Sequence, residues 1–466
     1  MTDLVVRGGT VVTAENAISA SIAIADIAIE DGRISAIAPE LPGAAQEIDA
    51  RGLTVLPGLI DIHVHFNEPG RTEWEGAATG SRALAAGGGT LFFDMPLNSS
   101  PCTIGPMEFD QKIAALERSS VTDFALWGGI VPGNYDSLAP LSERGVIGFK
   151  AFMTDSGLPE FPRSDDLTLY EGMREAACLG LPVAVHAESD ELIQSLTSRA
   201  AAAGLNGIRD YLGSRPVLAE VAAIQRAALM AEETGAKLHI VHVSSGRGVA
   251  AALEARARGV DIAIETCPHY LFFTKEDMER IGAVAKCSPP LRNTHERDRL
   301  WDALLRGAVN VVASDHSPAP PEMKRDANFF RVWGGIAGGQ STLAVLLTAG
   351  HHERGLPLTR IADLIAAWPA RRFLLAHKGR IAVGNDADLT LVDLAASYTL
   401  QESSLLQRHR MSPYIGRSFR GAVRQTLLRG QPIFVDGKIV AKDTGKFVRS
   451  SEHSAISNQH SVPKPS

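Results

Sequence analysis

Between about residue 54 and residue 370, apolar runs of strand length alternate with stretches of helix length, and this alternation narrows the fold more than any other feature of the chain. The runs are Val55–His65, Thr90–Met95, Asp123–Ile130, Val146–Met153, Pro182–Glu188, Lys237–Ser244, Asp261–Cys267 and Val309–Asp315. Helical patterns separate most of them, among them Glu75–Ala86, Leu167–Cys178, Ala219–Thr234 and Gly246–Arg258. Strands alternating with helices in this number predict an α/β fold, a (β/α)8 TIM-type barrel. An open doubly wound sheet would want a glycine-rich phosphate loop after its first strand, and that position holds histidines. Gly87-Gly88-Gly89 follows a helix and precedes a strand, so it reads as a helix C-cap.

The two ends of the chain carry a different pattern. Leu4–Val12 and Ile22–Glu30 read as strands, and Asp31-Gly32-Arg33-Ile34 turns into another. Asp388–Val392, Gln425–Arg429, Ile433–Val435 and Asp436-Gly437-Lys438-Ile439 repeat the theme near the other end. The matching Asp-Gly turns predict one small antiparallel β-sandwich domain built from both ends. Residues 1–53 supply its N-terminal part, 54–370 form the barrel, and 371–449 supply the C-terminal part. From residue 450 to 466 the chain is rich in Ser, Asn, Gln and Pro with little to bury, which predicts a disordered tail.

A chain of 466 residues, 45% hydrophobic and 21% charged, is long enough for a large barrel and a smaller domain. Its net charge of -7 and the lack of a Lys/Arg run speak against a nucleic-acid partner. No stretch reaches the roughly 18 apolar residues of a membrane span, and the first residues lack the pattern of a secretory signal. The expectation is a cytoplasmic protein with no membrane partner. The cysteines, Cys102, Cys178, Cys267 and Cys287, show no CxxC spacing, which argues against a disulfide scaffold and a thiolate zinc site.

In a barrel of this kind the active site forms at the C-terminal ends of the strands. There the first strand carries His63 and His65, the fourth Lys150, the fifth His186, the sixth His242 and the eighth Asp315. Residues i and i+2 of a strand share a face, so His63 and His65 can offer two imidazoles to one point, as metal ligands or as hydrogen-bonded core histidines. By the same alternation Leu238, Ile240 and His242 share a face, as do Val311, Ala313 and Asp315, while His239 points the other way into a structural role. Lys150 is the odd member, since a lysine within an apolar strand needs a partner. An ion pair with Asp315 or Glu188 is one reading. Addition of CO2 to give a carbamate is the other, because it turns a cation that would repel a metal into a pair of oxygen ligands.

The set His63-x-His65, Lys150, His186, His242 and Asp315, with nearly the whole chain around it, resembles the cyclic amidohydrolases of the amidohydrolase superfamily: dihydroorotases, hydantoinases or dihydropyrimidinases, and allantoinases. The resemblance implies two divalent metal ions per subunit, zinc first and cobalt, manganese or nickel as alternatives. It implies that His63, His65 and Asp315 hold one ion and His186 and His242 the other, with Lys150, carbamylated by CO2, bridging the two. It further implies that Asp315 is catalytic, taking a proton from the attacking water and delivering it to the departing ring nitrogen, and that the protein is a homo-oligomer, a homotetramer.

Several segments are similar to the allantoinase branch: Asn67 to Gly76, Asp94 to Ser99, Gly148 to Met153, Glu265 to Tyr270, Ala285 to Pro290 and Ser412 to Arg417. They imply a small-molecule substrate, allantoin, opened to allantoate in purine catabolism. Dihydroorotases usually carry Arg at the place of Asn67 to grip a carboxylate. Hydantoinases typically carry a tyrosine soon after the lysine, where Thr154-Asp155-Ser156-Gly157 follows here. Thr154-Asp155 and Gly88-Gly89-Thr90 depart from many allantoinases and bear on substrate fit. The alternatives are a hydantoinase or dihydropyrimidinase of broad specificity, and a non-catalytic dihydropyrimidinase-like scaffold, which would require missing ligands. Asn67, Asn98 and Ser288 are the expected substrate contacts, although Asn98 can cap its own loop and Ser288 its own turn. His316 and His269 are expected behind the ligands. Arg71 and Glu73 are expected to pair with each other or brace their loop, and Cys287, with no base beside it, to serve packing.

Overall fold

The computed structural model describes residues 2–14 and 20–451. Eight parallel strands follow one another in chain order: β1 (Leu59–Val64), β2 (Gly89–Asp94), β3 (Asp123–Gly129), β4 (Gly148–Phe152), β5 (Val183–His186), β6 (Leu238–Ile240), β7 (Ile262–Thr266) and β8 (Val311–Val312). A parallel bridge between Val64 and His316 brings the chain beyond β8 back against β1, so the barrel predicted from the alternation is formed. The outward side chains of β4 to β7, such as Phe149, Val183, Leu238 and Ile264, share one apolar cluster with Leu169 and Met173 of the helix Asp166–Cys178 and with Ile224 and Ala227 of the helix Val217–Thr234. Ile60, Ile62, Phe93, Trp127, Ala184, Val311 and Ala313 form a second cluster within the barrel.

The sixth strand corrects one expectation. Lys150 pairs with Ala184, Ala184 with His239, and His239 with Ala263, so these four residues form one row across the parallel ladder and face the same way. His239 therefore points into the barrel with Lys150, not away from it. The strand ends at Ile240, and His242 has a left-handed φ of 39°. Alternation counted from Leu238 stops before His242, and the backbone turn, not strand parity, aims that ring.

The predicted run Val55–His65 is two strands. Thr54–Pro57 leaves the barrel and pairs in parallel with Thr10 and Val11 and antiparallel with Leu389–Val392. Gly58 makes the break: a Cβ there would lie 2.3 Å from the Thr90 hydroxyl, so only glycine allows the approach. Thr54–Pro57 thereby joins the two chain ends into one nine-stranded sheet. The sheet is antiparallel except where Leu4–Ala14 runs parallel to Gln46–Asp49 and to Thr54–Pro57. Both Asp-Gly hairpins form as predicted, with left-handed φ at Asp31 (50°) and Gly32 (77°) and again at Asp436 (41°) and Gly437 (85°).

Buried charges fasten the sheet to the N-terminal end of the barrel. Lys378 Nζ lies 2.7 Å from Asp123 on β3, 2.9 Å from Asp386 and 2.8 Å from Asp388, and Arg429 reaches the Asp123 carboxylate at 2.5 Å. Residues 445–448 then run beside β3, with Phe124 N–H donating to the Lys446 carbonyl at 3.0 Å. Residues 452–466 of the expected tail lie outside the described residues. Among the described residues no helix is long and apolar enough to cross a membrane.

Candidate active site

The C-terminal end of the barrel gathers the charged residues picked out in the sequence. His63 Nε2 and His65 Nε2 lie 3.3 and 3.4 Å from one Asp315 oxygen, and the ligand-capable atoms of these three residues fall within 4.8 Å of one another. His186 Nδ1 and His242 Nε2 face each other at 2.9 Å, and the His242 ring centroid is 5.5 Å from that of His63. Lys150 is fully buried near these groups, close enough for its charge to act on His63, His186 and His242, with no hydrogen-bond partner on Nζ. It pairs with neither Asp315 nor Glu188, which removes the ion-pair reading; its nearest described contact is the Phe152 ring, 5.0 Å away. Burial lowers the Lys150 ammonium to about 7 against the pull of Glu265 and Asp315. Burial pushes the Asp315 carboxyl up, but His63 and His65 outweigh it and hold the group at about 2.

Two buried carboxylates aim the rings. Glu265 on β7 receives His63 Nδ1 at 2.7 Å on one oxygen and His239 Nε2 at 2.8 Å on the other, and it also accepts the His242 backbone N–H at 3.1 Å. Glu188 meets His186 Nε2 at 2.9 Å. Each contact leaves the opposite ring nitrogen, Nε2 of His63 and Nδ1 of His186, turned toward the centre. Burial raises Glu265, yet the charge of His63 and the bond to His239 keep it well below the usual carboxylate range. Glu265 escaped the sequence reading, although a carboxylate inside the apolar run Ile262–Thr266 is the same anomaly that singles out Lys150.

The expected outer residues separate on inspection. The His316 carbonyl accepts the His65 N–H at 2.8 Å and its Nδ1 accepts the Gly339 N–H at 3.1 Å, so it secures the end of β1 from behind. His269 is buried with neither ring nitrogen paired, and its ligand-capable nitrogen falls within 4.8 Å of those of Cys267 and Asp315. Asn98 and Ser288 line a cavity of about 370 Å³ together with His63, His65, His242 and Asp315. Asn67 does not line it; the side chain is buried without a partner and the residue takes a φ of 63°, a conformation asparagine tolerates. Arg71 pairs with Glu160 at 2.7 Å and donates to the Asn98 and Ser99 carbonyls, so it braces the loop without Glu73. Burial pushes the Cys287 thiol up to about 12, which fits packing and not nucleophilic attack.

Three further lining residues had no sequence signal. Tyr211 donates from its hydroxyl to the Cys287 carbonyl at 2.8 Å and lies 2.7 Å from Ser288 Oγ. Arg215 lies over the Tyr211 ring, 4.4 Å from its centroid. Lys286 donates to the carbonyls of Phe329 (2.7 Å), Phe330 (3.2 Å) and Val332 (2.5 Å), and Lys324 to those of Trp333 and Gly335 (2.8 Å each). These two lysines hold the segment that covers one side of the cavity, and burial lowers each to about 7.

Residues 54–440 match the model of the amidohydrolase family. The allantoinase of Solibacter usitatus is 69% identical over 96% of this chain and 97% of its own length. That of Rubrobacter xylanophilus is 57% identical over 96% and 97%. Among solved structures, the L-hydantoinase (dihydropyrimidinase) of Arthrobacter aurescens superposes with a TM-score of 0.93 at 33% identity, covering 96% of this chain and 100% of that one.

Proposed function

The chain belongs to the amidohydrolase family, and on that premise we propose that it is a hydrolase of cyclic amides that opens allantoin to allantoate. One observation carries the reading to this chain's own residues. His63, His65, His186, His242 and Asp315 converge on a single cavity, and the buried, unpartnered amine of Lys150 is near enough for its charge to act on His63, His186 and His242.

The donor set fits a pair of divalent ions. A buried amine without a partner is costly as a cation, and burial holds Lys150 near the neutral form that can add CO2. His63, His65 and Asp315 would hold one ion, His186 and His242 the other, and carbamylated Lys150 would bridge them, with zinc first and cobalt, manganese or nickel as alternatives. Bound there, such ions would supply Lewis acidity toward a carbonyl and lower the pKa of nearby water. Asp315, ionised throughout the neutral range, accepts the proton of the water that attacks the ring amide carbon. As the C–N bond breaks, it returns that proton to the ring nitrogen, leaving a carboxylate and an open ureide. Glu265 and Glu188 keep the rings aimed while this happens. Asn98 and Ser288 are placed to bind the ring; the Asn67 carbonyl accepts the Arg71 N–H at 3.1 Å within its own loop. His316 and His269 stand behind the ligands. A homotetramer in the cytoplasm completes the reading, and light scattering on the purified chain checks its size.

The test is a turnover panel on protein expressed with zinc, cobalt or manganese and bicarbonate, comparing allantoin, hydantoin, dihydrouracil and dihydroorotate. Allantoin consumed much faster than the others is the expected result. Preference for hydantoin or dihydrouracil would refute the substrate, and a chain that retains no metal and opens none of the rings would refute the enzyme.

A further inference from the structure

We propose that Arg215 reads the substituent on the substrate ring, gripping the carbonyl of a ureido group, with the free oxygen of Glu188 receiving its N–H. The inference rests on the allantoin reading and names the groups that separate allantoin from a bare hydantoin.

The cavity wall holds three basic side chains, and they differ in what remains of their hydrogen-bonding capacity. Lys286 is engaged by three carbonyls, and Arg331 is exposed at the mouth. Arg215 forms no ion pair among the described residues. One donor atom, Nη1, meets Ser214 Oγ at 3.1 Å, while Nε is buried and unpartnered. A guanidinium has five N–H donors in a fixed plane, so most of its capacity is unused. That plane is also held in place. The Tyr211 ring beneath it is buried, and the Tyr211 hydroxyl is bonded to the segment that carries Ser288.

The same cavity contains Glu188, whose Oε2 is taken by His186 and whose Oε1 is buried with no partner. The two residues are close enough for the Arg215 charge to act on the Glu188 carboxyl. An unused donor array beside an unused acceptor is the complement of –NH–CO–NH2, which offers one acceptor and several donors. A carboxylate tail would satisfy Arg215 but would bring a like charge to Glu188, and an unsubstituted ring would leave both unsatisfied. Buried polar groups without partners are costly, so the substituent that completes both gains most.

The test compares kcat/KM for allantoin, hydantoin and hydantoin-5-acetic acid in the metal-loaded enzyme and in Arg215→Gln and Arg215→Lys. The expected result for Arg215→Gln is an allantoin-to-hydantoin ratio lowered by about tenfold to a hundredfold, carried mainly by KM. Arg215→Lys, which keeps the charge and loses the planar fork, should lower the ratio by less. If Arg215→Gln lowers both substrates equally, the assignment is overturned while the allantoin reading stands; a wild type that prefers the 5-acetic acid to allantoin overturns both. A wild type that opens hydantoin and not allantoin overturns both.

Discussion

Replacing Glu265 by Gln preserves the shape of the side chain and removes what the site requires of it. The carboxylate receives His63 on one oxygen and His239 on the other, at 2.7 and 2.8 Å. An amide has one acceptor oxygen, so its NH2 must face one of the two rings. Facing His63, it would oblige Nδ1 to accept and move the ring proton to Nε2, the atom 3.3 Å from Asp315 that is turned to the centre. Facing His239, it would move the proton to that ring's Nδ1, which is buried with no acceptor. Either way one charge-assisted hydrogen bond is lost, about 1.5–3 kcal/mol. That corresponds to the roughly tenfold to hundredfold fall in metal affinity or activity typical of losing a partner behind a ligand. Dialysis against a chelator series with metal analysis should shift by that amount, turnover should fall with it, and excess metal should restore part of the loss. Metal retention by Glu265→Gln within about twofold of the wild type would refute the argument, provided circular dichroism shows the fold intact.

Lys150→Ala removes the central amine and should cost more metal and turnover than the roughly hundredfold limit for residues behind the ligands; wild-type turnover in this variant would exclude a bridging role. Lys378→Met leaves Asp123, Asp386 and Asp388 without their shared cation and should destabilise the chain by about 3–5 kcal/mol in urea unfolding, with an effect near zero counting against the junction. Lys286 and Lys324 give up their protons near pH 7 in the folded chain but keep them to about 10.4 when unfolded. Between those limits the unfolded state binds more protons, so stability should rise with pH from about 7 toward 10 and be lowest in this respect below 7. The slope should shrink in Lys286→Met; an unchanged slope would show that these amines do not titrate there.

The barrel was legible because its strands are buried on both faces and therefore stand out as apolar runs, and Lys150, His186 and Asp315 stood out against them. What misled was parity where the backbone leaves the strand. Counting along the strand groups His242 with Leu238 and Ile240, but the residue reaches the site through a left-handed φ that no alternation rule contains. His239, assigned to the other face, lies in the row of Lys150. Glu265 was detectable by the logic applied to Lys150. Tyr211 and Arg215 are not, because Tyr211 lies in the helix Ile208–Ser214 and Arg215 just past its end, and only tertiary packing sets the Tyr211 hydroxyl against Ser288 and Arg215 over the Tyr211 ring. The pairing of Arg71 with Glu160, in place of nearby Glu73, is the same lesson for charges.

The strand Thr54–Pro57 sits between the N-terminal and C-terminal halves of one sheet, paired on one edge with Thr10 and Val11 and on the other with Leu389–Val392. On the ribosome the early strands emerge first, and the edge of Thr54–Pro57 that will receive residues 389–392 stays open while the whole barrel is made. Closure of that sheet is therefore among the most non-local events in the chain and should be slow relative to assembly of neighbouring βα units. During the interval an unpaired row of N–H and C=O groups is available to any other extended segment. A nascent chain stalled before residue 389 should hence aggregate more readily than the released protein, a liability of joining both termini through one central strand.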